Sequence, residues 1–239
     1  MNFEAISTQP GFNEYIENMR YIRVYSEYTM DNYDEIDLLC TVYPILETSE
    51  YNLFKEALEF AISINYTHPG LASKSYLKHP IRVAKLIANN SSKPSIDCLI
   101  IALLHNVFET SEISADLVSE KFGLIVTESI KRLTVDRSKS NNEYKKYYYK
   151  SIIEIGRDAC IVKSYDKFDN LFMLSTNPNK NTREAYLEEI ETFVLPLVEL
   201  FAPSLYGQFL SLCKYTYLSP YIDKQHYVKL VQSDKTMKL

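Results

Sequence analysis

Residues 95 to 108 read SIDCLIIALLHNVF, and this stretch decides the fold that the sequence predicts. Its apolar residues fall on nearly every side of a helix, which is typical of a helix at the centre of a bundle. Ser95 is a suitable N-cap, because its hydroxyl can accept a hydrogen bond from a free backbone N–H of the first turn. We therefore predict a central helix over 95–108, surrounded by other helices.

The rest of the chain also favours helices. Of its 239 residues 46% are apolar, while only 5 are glycine and 9 are proline, which argues against a turn-dense β-sandwich or barrel. Apolar residues at three- and four-residue steps mark one helix from Tyr51 to a stop at 67–70, and Thr182 is the expected cap of another. Further helices are predicted over 12–27, 33–47, 114–122 ending at Gly123, 124–134, 157–174, 182–201, 204–217 and 220–232.

Charge and cysteine usage limit the partners that we expect. The formal net charge of -5 gives no general footprint for nucleic acid. No signal peptide is recognisable at the N-terminus, and no run approaches the roughly 20 apolar residues of a membrane span. The four cysteines form no CxxC pair and three lie in apolar runs, so we expect free thiols and a cytoplasmic location. The 20 tyrosines would suit an interface, such as that of a homo-oligomer.

Three side chains are candidates for chemistry. His79 precedes Pro80, which we place in the first turn of a helix, and His105 lies at the inner end of the central helix. Asp166 lies in an apolar run, and a buried acid needs a cation or a hydrogen bond. On neighbouring helices the three would converge on one ion, and two imidazoles with a carboxylate suit Mn, Fe or Zn. Taken singly, each is also typical of a capping, packing or solvated residue.

Four motifs then occur in order, and they carry a resemblance to a known family. They read YLKHP at 76–80, LLHNVFET at 103–110, FG at 122–123 and KSYDKFDN at 163–170. The stretch from about Ala57 to Asn170 resembles the hydrolase domain of RelA/SpoT proteins and of small stand-alone alarmone hydrolases. There, Tyr-x-x-His-Pro is followed by Leu-Leu-His-Asp-x-x-Glu-Asp, by a Phe-Gly turn and by Lys-Leu-Ala-Asp-Arg-x-x-Asn.

The resemblance implies an all-α, HD-domain helical bundle with extra N- and C-terminal helices. We expect a helical extension over 1–50, an HD-type hydrolase-like domain over 51–202, and C-terminal helices over 203–239. The family removes the 3′-pyrophosphate of guanosine tetra- or pentaphosphate, the alarmones of the stringent response. Its Mn²⁺ ligands would correspond to His79, His105, Asn106 and Asp166.

The resemblance also implies roles around that metal. Glu109, together with Asn106, is expected to act in catalysis, since the family's acid at this position positions or activates the attacking water. A nucleotide phosphate is the expected small-molecule substrate. Its binding residues are expected to be Lys74, Asn170, Lys145, Lys146 and Tyr149, although the basic stretch 131–150 also fits a solvated loop.

Three departures from the family pattern leave the activity open. Asn106 stands where the family has an aspartate, so one ligand brings no negative charge and Mn²⁺ affinity should fall. Thr110 replaces the second acid of the Glu-Asp pair, and only Lys74 replaces a basic Arg in the loop 68–74. Two further interpretations therefore stand beside the metal-dependent phosphohydrolase. One is a catalytically inactive HD scaffold that binds a nucleotide or a protein, and the other is an unrelated helical interaction protein.

Overall fold

The computed structural model describes residues 3, 6, 10–29, 32–68, 71–91, 93–139 and 141–237. Within these residues all regular secondary structure is helical, which confirms the predicted all-α class. None of the described helices is both long and apolar enough to cross a bilayer. The helices are α1 Phe12–Thr29, α2 Tyr33–Val42, α3 Thr48–Ser63, α4 Ser73–Asn90, α5 Ile96–Leu104, α6 Val107–Thr110, α7 Ala115–Phe122, α8 Leu124–Leu133, α9 Asn142–Ile155, α10 Arg157–Leu174, α11 Lys180–Glu189, a π-helical turn Ile190–Val194, α12 Leu195–Phe201, α13 Pro203–Leu218 and α14 Lys224–Met237.

The chain divides into two compact units, and the division differs from the boundaries expected at 50 and 202. One unit comprises Asn32–Asp166, and the other comprises the described parts of Met1–Asp31 and Lys167–Leu239. Helix α2 belongs to the larger unit because buried Lys78 of α4 binds two of its carboxylates. The ammonium lies 3.3 Å from Asp34 and 3.0 Å from Glu35.

Helix α5 forms the centre of the larger unit, as its sequence predicts. Leu99, Ile100 and Leu104 are fully buried, and α3, α4 and α8 pack around the helix. Ser95 caps it, with its hydroxyl oxygen accepting a hydrogen bond from the N–H of Cys98 at 3.0 Å. Burial of each large aliphatic side chain contributes roughly 1.5–3 kcal/mol, so packing of this helix favours the folded state of the unit.

The central helix nevertheless ends four residues earlier than predicted. The carbonyl oxygen of Ala102 lies 2.7 Å from Nδ1 of His105. In a continued helix that carbonyl would accept the N–H of Asn106. Because the imidazole takes the place of this N–H, α5 ends at Leu104 and a turn separates it from the short α6.

Two proline-containing helices also differ from the prediction. Helix α4 starts at Ser73, so Pro80 lies inside it rather than in its first turn, and one internal hydrogen bond is missing there. The predicted helix 182–201 is interrupted by the π-helical turn before Pro196. A proline lacks the N–H that would bind the carbonyl four residues earlier, and a wider turn accommodates its ring.

Other differences concern caps and loops. Helix α11 is capped by Asn179, whose side chain accepts a hydrogen bond from the N–H of Thr182, so the predicted cap at Thr182 is wrong. Much of the basic stretch 131–150 is not a loop, because Asn141 caps helix α9 there. Helix α3 already ends at Ser63, and part of its predicted stop, Pro69 and Gly70, lies outside the described residues.

The smaller unit has its own core. Val24 of α1 packs with Tyr227 and Val231 of α14. Within the same unit, Arg23 forms a buried ion pair with Asp169 at 2.5 Å, and both side chains are almost inaccessible to solvent. The N-terminal helix is therefore an integral part of this unit.

Candidate metal centre

Three potential metal ligands converge inside the larger unit. Nε2 of His79 on α4 lies 3.2 Å from Oδ1 of Asp166 on α10. Nε2 of His105, directly after α5, lies 3.7 Å from the same oxygen. One ligand atom from each residue lies within 4.8 Å of the other two. The structure thus brings together three of the four side chains that were expected to hold a metal.

The hydrogen bonding of His105 leaves its inner nitrogen facing this cluster. A carbonyl oxygen only accepts hydrogen bonds, so Nδ1 carries the hydrogen in the contact with Ala102. Nε2 is buried and has no hydrogen-bond partner, and in a neutral ring it would carry the lone pair. A lone pair opposite a carboxylate oxygen is repelled unless a cation or a proton lies between them. This unpartnered atom, beside a second imidazole and a carboxylate, fits a divalent ion such as Mn, Fe or Zn.

A buried lysine holds the other oxygen of the carboxylate. Nζ of Lys163 lies 3.0 Å from Oδ2 of Asp166, one helical turn earlier on α10. Burial raises the pKa of Asp166, but Lys163 and the two imidazoles outweigh burial and hold this pKa well below its usual range. Burial likewise lowers the pKa of Lys163, while the carboxylate and the nearby Tyr148 and Tyr149 raise it well above its usual value. Both groups are therefore charged.

Sequence reasoning gave Lys163 no role, although it is part of the KSYDKFDN motif. The available signal was the spacing of three residues from Asp166 in an otherwise apolar helix, because residues three apart lie on the same face. Two opposite charges at that spacing in a buried segment indicate an ion pair.

Both carboxylate oxygens of Glu109 are engaged by the segment that follows α8. One accepts a hydrogen bond from the N–H of Val135 at 2.7 Å, and the other lies 3.2 Å from Nη2 of Arg137. The Glu109 side chain is only 6% exposed, while that of Arg137 is 69% exposed. In this conformation Glu109 anchors the segment 135–137, an interaction that the sequence did not reveal.

The residues around Glu109 make local contacts. The hydroxyl of Thr110, where the family has its second acid, donates to the carbonyl of Asn106 at 2.8 Å. Asn106 itself is partly buried and makes no side-chain capping hydrogen bond to α6. It directly follows His105 in the chain, so its amide is close to the centre in sequence.

The expected substrate-binding residues are scattered over three helices. Lys74 is exposed in the first turn of α4, and α9 carries exposed Lys146, half-buried Lys145 and buried Tyr149. Among these, Tyr149 contributes to the electrostatic environment of Lys163. Asn170 is exposed on α10 and belongs to the smaller unit, so it is described apart from the cluster.

Comparison with known proteins identifies relatives that carry the same name. No protein-family profile matches the chain. Four proteins named guanosine-3′,5′-bis(diphosphate) 3′-pyrophosphohydrolase MESH1 match its sequence. The match to the Homo sapiens protein is 30% identical over 113 residues, 47% of this chain and 61% of that protein. The Drosophila melanogaster protein is 29% identical over 102 residues, 43% of this chain and 57% of that protein.

A third relative and a solved structure also match the chain. The Danio rerio protein is 25% identical over 107 residues, 45% of this chain and 59% of that protein. The chain therefore spans about six-tenths of the length of these curated relatives. A structure described as a metazoan ortholog of SpoT that hydrolyses ppGpp matches with a TM-score of 0.57 and 21% identity, covering 73% of this chain and 98% of that one. This confirms the predicted helical fold, and the sequence matches exclude the interpretation as an unrelated helical protein.

Proposed function

We propose, from the premise that the central part of this chain is homologous to the MESH1 pyrophosphohydrolases of the HD-domain family, that the protein is a metal-dependent phosphohydrolase. Its substrate would be a nucleotide pyrophosphate of the guanosine 3′,5′-bis(pyrophosphate) type. The single observation that supports this best is the unpartnered Nε2 of His105, which faces the carboxylate of Asp166 beside His79.

The proposed metal ligands are His79, His105, Asp166 and the amide oxygen of Asn106, with Mn²⁺ as the first candidate. A bound metal would act as a Lewis acid, which polarises a phosphoryl oxygen and lowers the pKa of a bound water. Residues around the centre contribute by orienting the proposed ligands. Ala102 fixes the tautomer of His105, and Lys163 holds Oδ2 of Asp166 so that Oδ1 is directed at the imidazoles.

Proton handling is assigned to Glu109 in this proposal. Its contact with Val135 is partly buried, whereas its contact with Arg137 lies at the surface and is worth at most about 1 kcal/mol. Release of Arg137 therefore frees one oxygen at small cost.

The proposed phosphate and nucleoside contacts are Lys74, Lys145, Lys146, Tyr149 and Asn170. A homo-oligomeric state is a further proposal, and the free cysteines support a cytoplasmic location as another.

The test combines metal binding with phosphate release. Protein purified without chelator is titrated with Mn²⁺, and its thermal unfolding and its hydrolysis of guanosine tetraphosphate are measured. We expect Mn²⁺ to raise the melting temperature, since a ligand that binds only the folded state stabilises it. The His105→Ala variant should lose this shift and the pyrophosphate release. The matched control is His226→Ala, because His226 is exposed on α14 of the other unit.

A second candidate function is a catalytically inactive HD-fold protein that binds a nucleotide and regulates a partner. The observation that favours it is that both oxygens of Glu109 are engaged while Asn106 and Thr110 bring no carboxylate. This function predicts nucleotide binding by calorimetry without phosphate release in the presence of Mn²⁺. It also predicts that Asn106→Asp restores both metal binding and hydrolysis. Hydrolysis by the unmodified protein at saturating Mn²⁺ would exclude it.

A further inference from the structure

The charge balance of the candidate metal centre depends on two buried groups. The ammonium of Lys163 and the carboxylate of Asp166 lie 3.0 Å apart, and each side chain is 7% exposed. As metal ligands, the imidazoles of His79 and His105 would bind through a lone pair and the amide of Asn106 through its oxygen, so none of the three would bring a negative charge. The ammonium of Lys163 therefore opposes the charge of the one carboxylate among the proposed ligands.

We propose that Lys163 limits the affinity of this centre for a divalent cation, because its fixed ammonium already neutralises the one carboxylate that the cation would use. The inference rests on the proposed function and deepens it by naming the residue that sets metal affinity. A divalent ion beside Asp166 meets a like charge on the same carboxylate. Since both groups are buried, neither salt nor bulk water screens this repulsion well.

Lys163 also orients the carboxylate, and this second effect acts in the opposite direction. Its bond to Oδ2 leaves Oδ1 within 3.2 Å of His79. Orientation alone is the smaller effect, because Asp166 is already restrained in the middle of α10 by its burial and by the contact with His79. We therefore expect removal of the ammonium to strengthen metal binding on balance.

The charge argument predicts two independent ways to strengthen binding. Lys163→Met removes the cation and keeps every ligand, while Asn106→Asp adds an anion next to His105. Each change should lower the dissociation constant for Mn²⁺ by about tenfold or more, and the double variant should bind more tightly than either single variant. Lys163→Arg keeps the charge and should bind as weakly as the wild type.

The experiment measures Mn²⁺ affinity of the full chain by electron paramagnetic resonance of the free ion, with calorimetry as a second readout. Lys167→Met is the matched control. Lys167 is a second buried lysine of α10, and it has its own carboxylate partner, Glu189, at 2.6 Å. This control should melt at a lower temperature than the wild type without a change in Mn²⁺ affinity. Lys163→Met should also melt lower without metal, but Mn²⁺ should stabilise it more than the wild type.

The outcomes separate this inference from the proposed function. The role of the lysine charge would be overturned if the wild type bound Mn²⁺ as tightly as Lys163→Met. It would also be overturned if Lys163→Arg raised the Mn²⁺ affinity as much as Lys163→Met does. Either result would leave the metal centre intact. Failure of every folded variant to bind Mn²⁺, including Asn106→Asp, would overturn the metal centre itself. If Lys163→Met does not fold, Lys163→Gln tests the same charge, because its amide still donates a hydrogen bond to Oδ2.

Discussion

Oε1 of Glu109 accepts a hydrogen bond from the backbone N–H of Val135 at 2.7 Å, across 26 residues of sequence. The Glu109 side chain is only 6% exposed, and the contact is partly buried. It ties the segment after α8 to the short α6 that follows His105. The carboxylate therefore has a structural role in this conformation.

The first prediction concerns this contact. Glu109→Ala removes a partly buried hydrogen bond between the N–H of Val135 and a charged acceptor, so we expect a loss of about 1–3 kcal/mol in the free energy of unfolding. Arg137→Ala removes only a surface ion pair, so it should cost less than about 1 kcal/mol. Urea denaturation followed by circular dichroism measures both. Equal losses for the two variants would show that the hydrogen bond to the Val135 amide contributes no more stability than the surface ion pair.

The second prediction concerns the buried ion pair of α10. Asp166→Asn leaves the ammonium of Lys163 buried without its carboxylate, and breaking such a pair typically costs about 3–5 kcal/mol. Adding Lys163→Met to this variant should recover part of the loss, because the two changes act on one interaction. The double-mutant cycle is measured by urea denaturation in the presence of a chelator. Strictly additive losses would contradict the coupling.

The third prediction concerns pH and the smaller unit. Glu17 of α1 accepts hydrogen bonds at 2.5 Å from the hydroxyls of Tyr215 and Tyr227. Burial raises the pKa of Glu17, but these two bonds and Arg20 outweigh it and lower the pKa from its usual 4.5. The carboxylate therefore stabilises the folded state above about pH 4.5, and this contribution is lost as the pH falls through the folded-state pKa.

We expect Glu17→Gln to be less stable than the wild type at pH 7 and the difference to shrink as the pH approaches 3. Urea denaturation at a series of pH values measures it. Glu14→Gln is the control, since Glu14 is exposed on the same helix. A stability difference that stays constant from pH 7 to 3 would mean that the carboxylate charge is not involved.

The fourth prediction concerns the N-terminal helix. Arg23 pairs with buried Asp169 at 2.5 Å and stacks on Phe172, with its guanidinium carbon 3.9 Å from the ring centroid. Arg23→Ala should therefore cost about 3–5 kcal/mol, because Asp169 stays buried without its cation. Asn18→Ala, an exposed change on the same helix, should have little effect. Deletion of residues 1–31 should unfold the smaller unit, and full resistance of the truncated chain to limited proteolysis would contradict this.

The sequence predicted those features of the fold that depend on local patterns. The continuous apolar stretch placed α5 at the centre, and Ser95 and Gly123 marked the start of α5 and the end of α7. It did not predict the end of α5 at Leu104, because that depends on one side chain, His105, binding a carbonyl of its own turn. Nor did it predict α9, since a basic, tyrosine-rich segment has no strong apolar periodicity to indicate a helix.

By itself, the sequence determined the residue types of the candidate centre and the order of their motifs. Both can be read from residues that are close together in the chain, because ligand types and helical periodicity are local properties. Only the tertiary structure decided that His79 and Asp166, 87 residues apart, lie 3.2 Å from each other. It also decided that Lys163 neutralises Asp166 and that Val135 and Arg137 bind Glu109. These contacts join distant segments, and their distances depend on how whole helices pack, which no local pattern specifies.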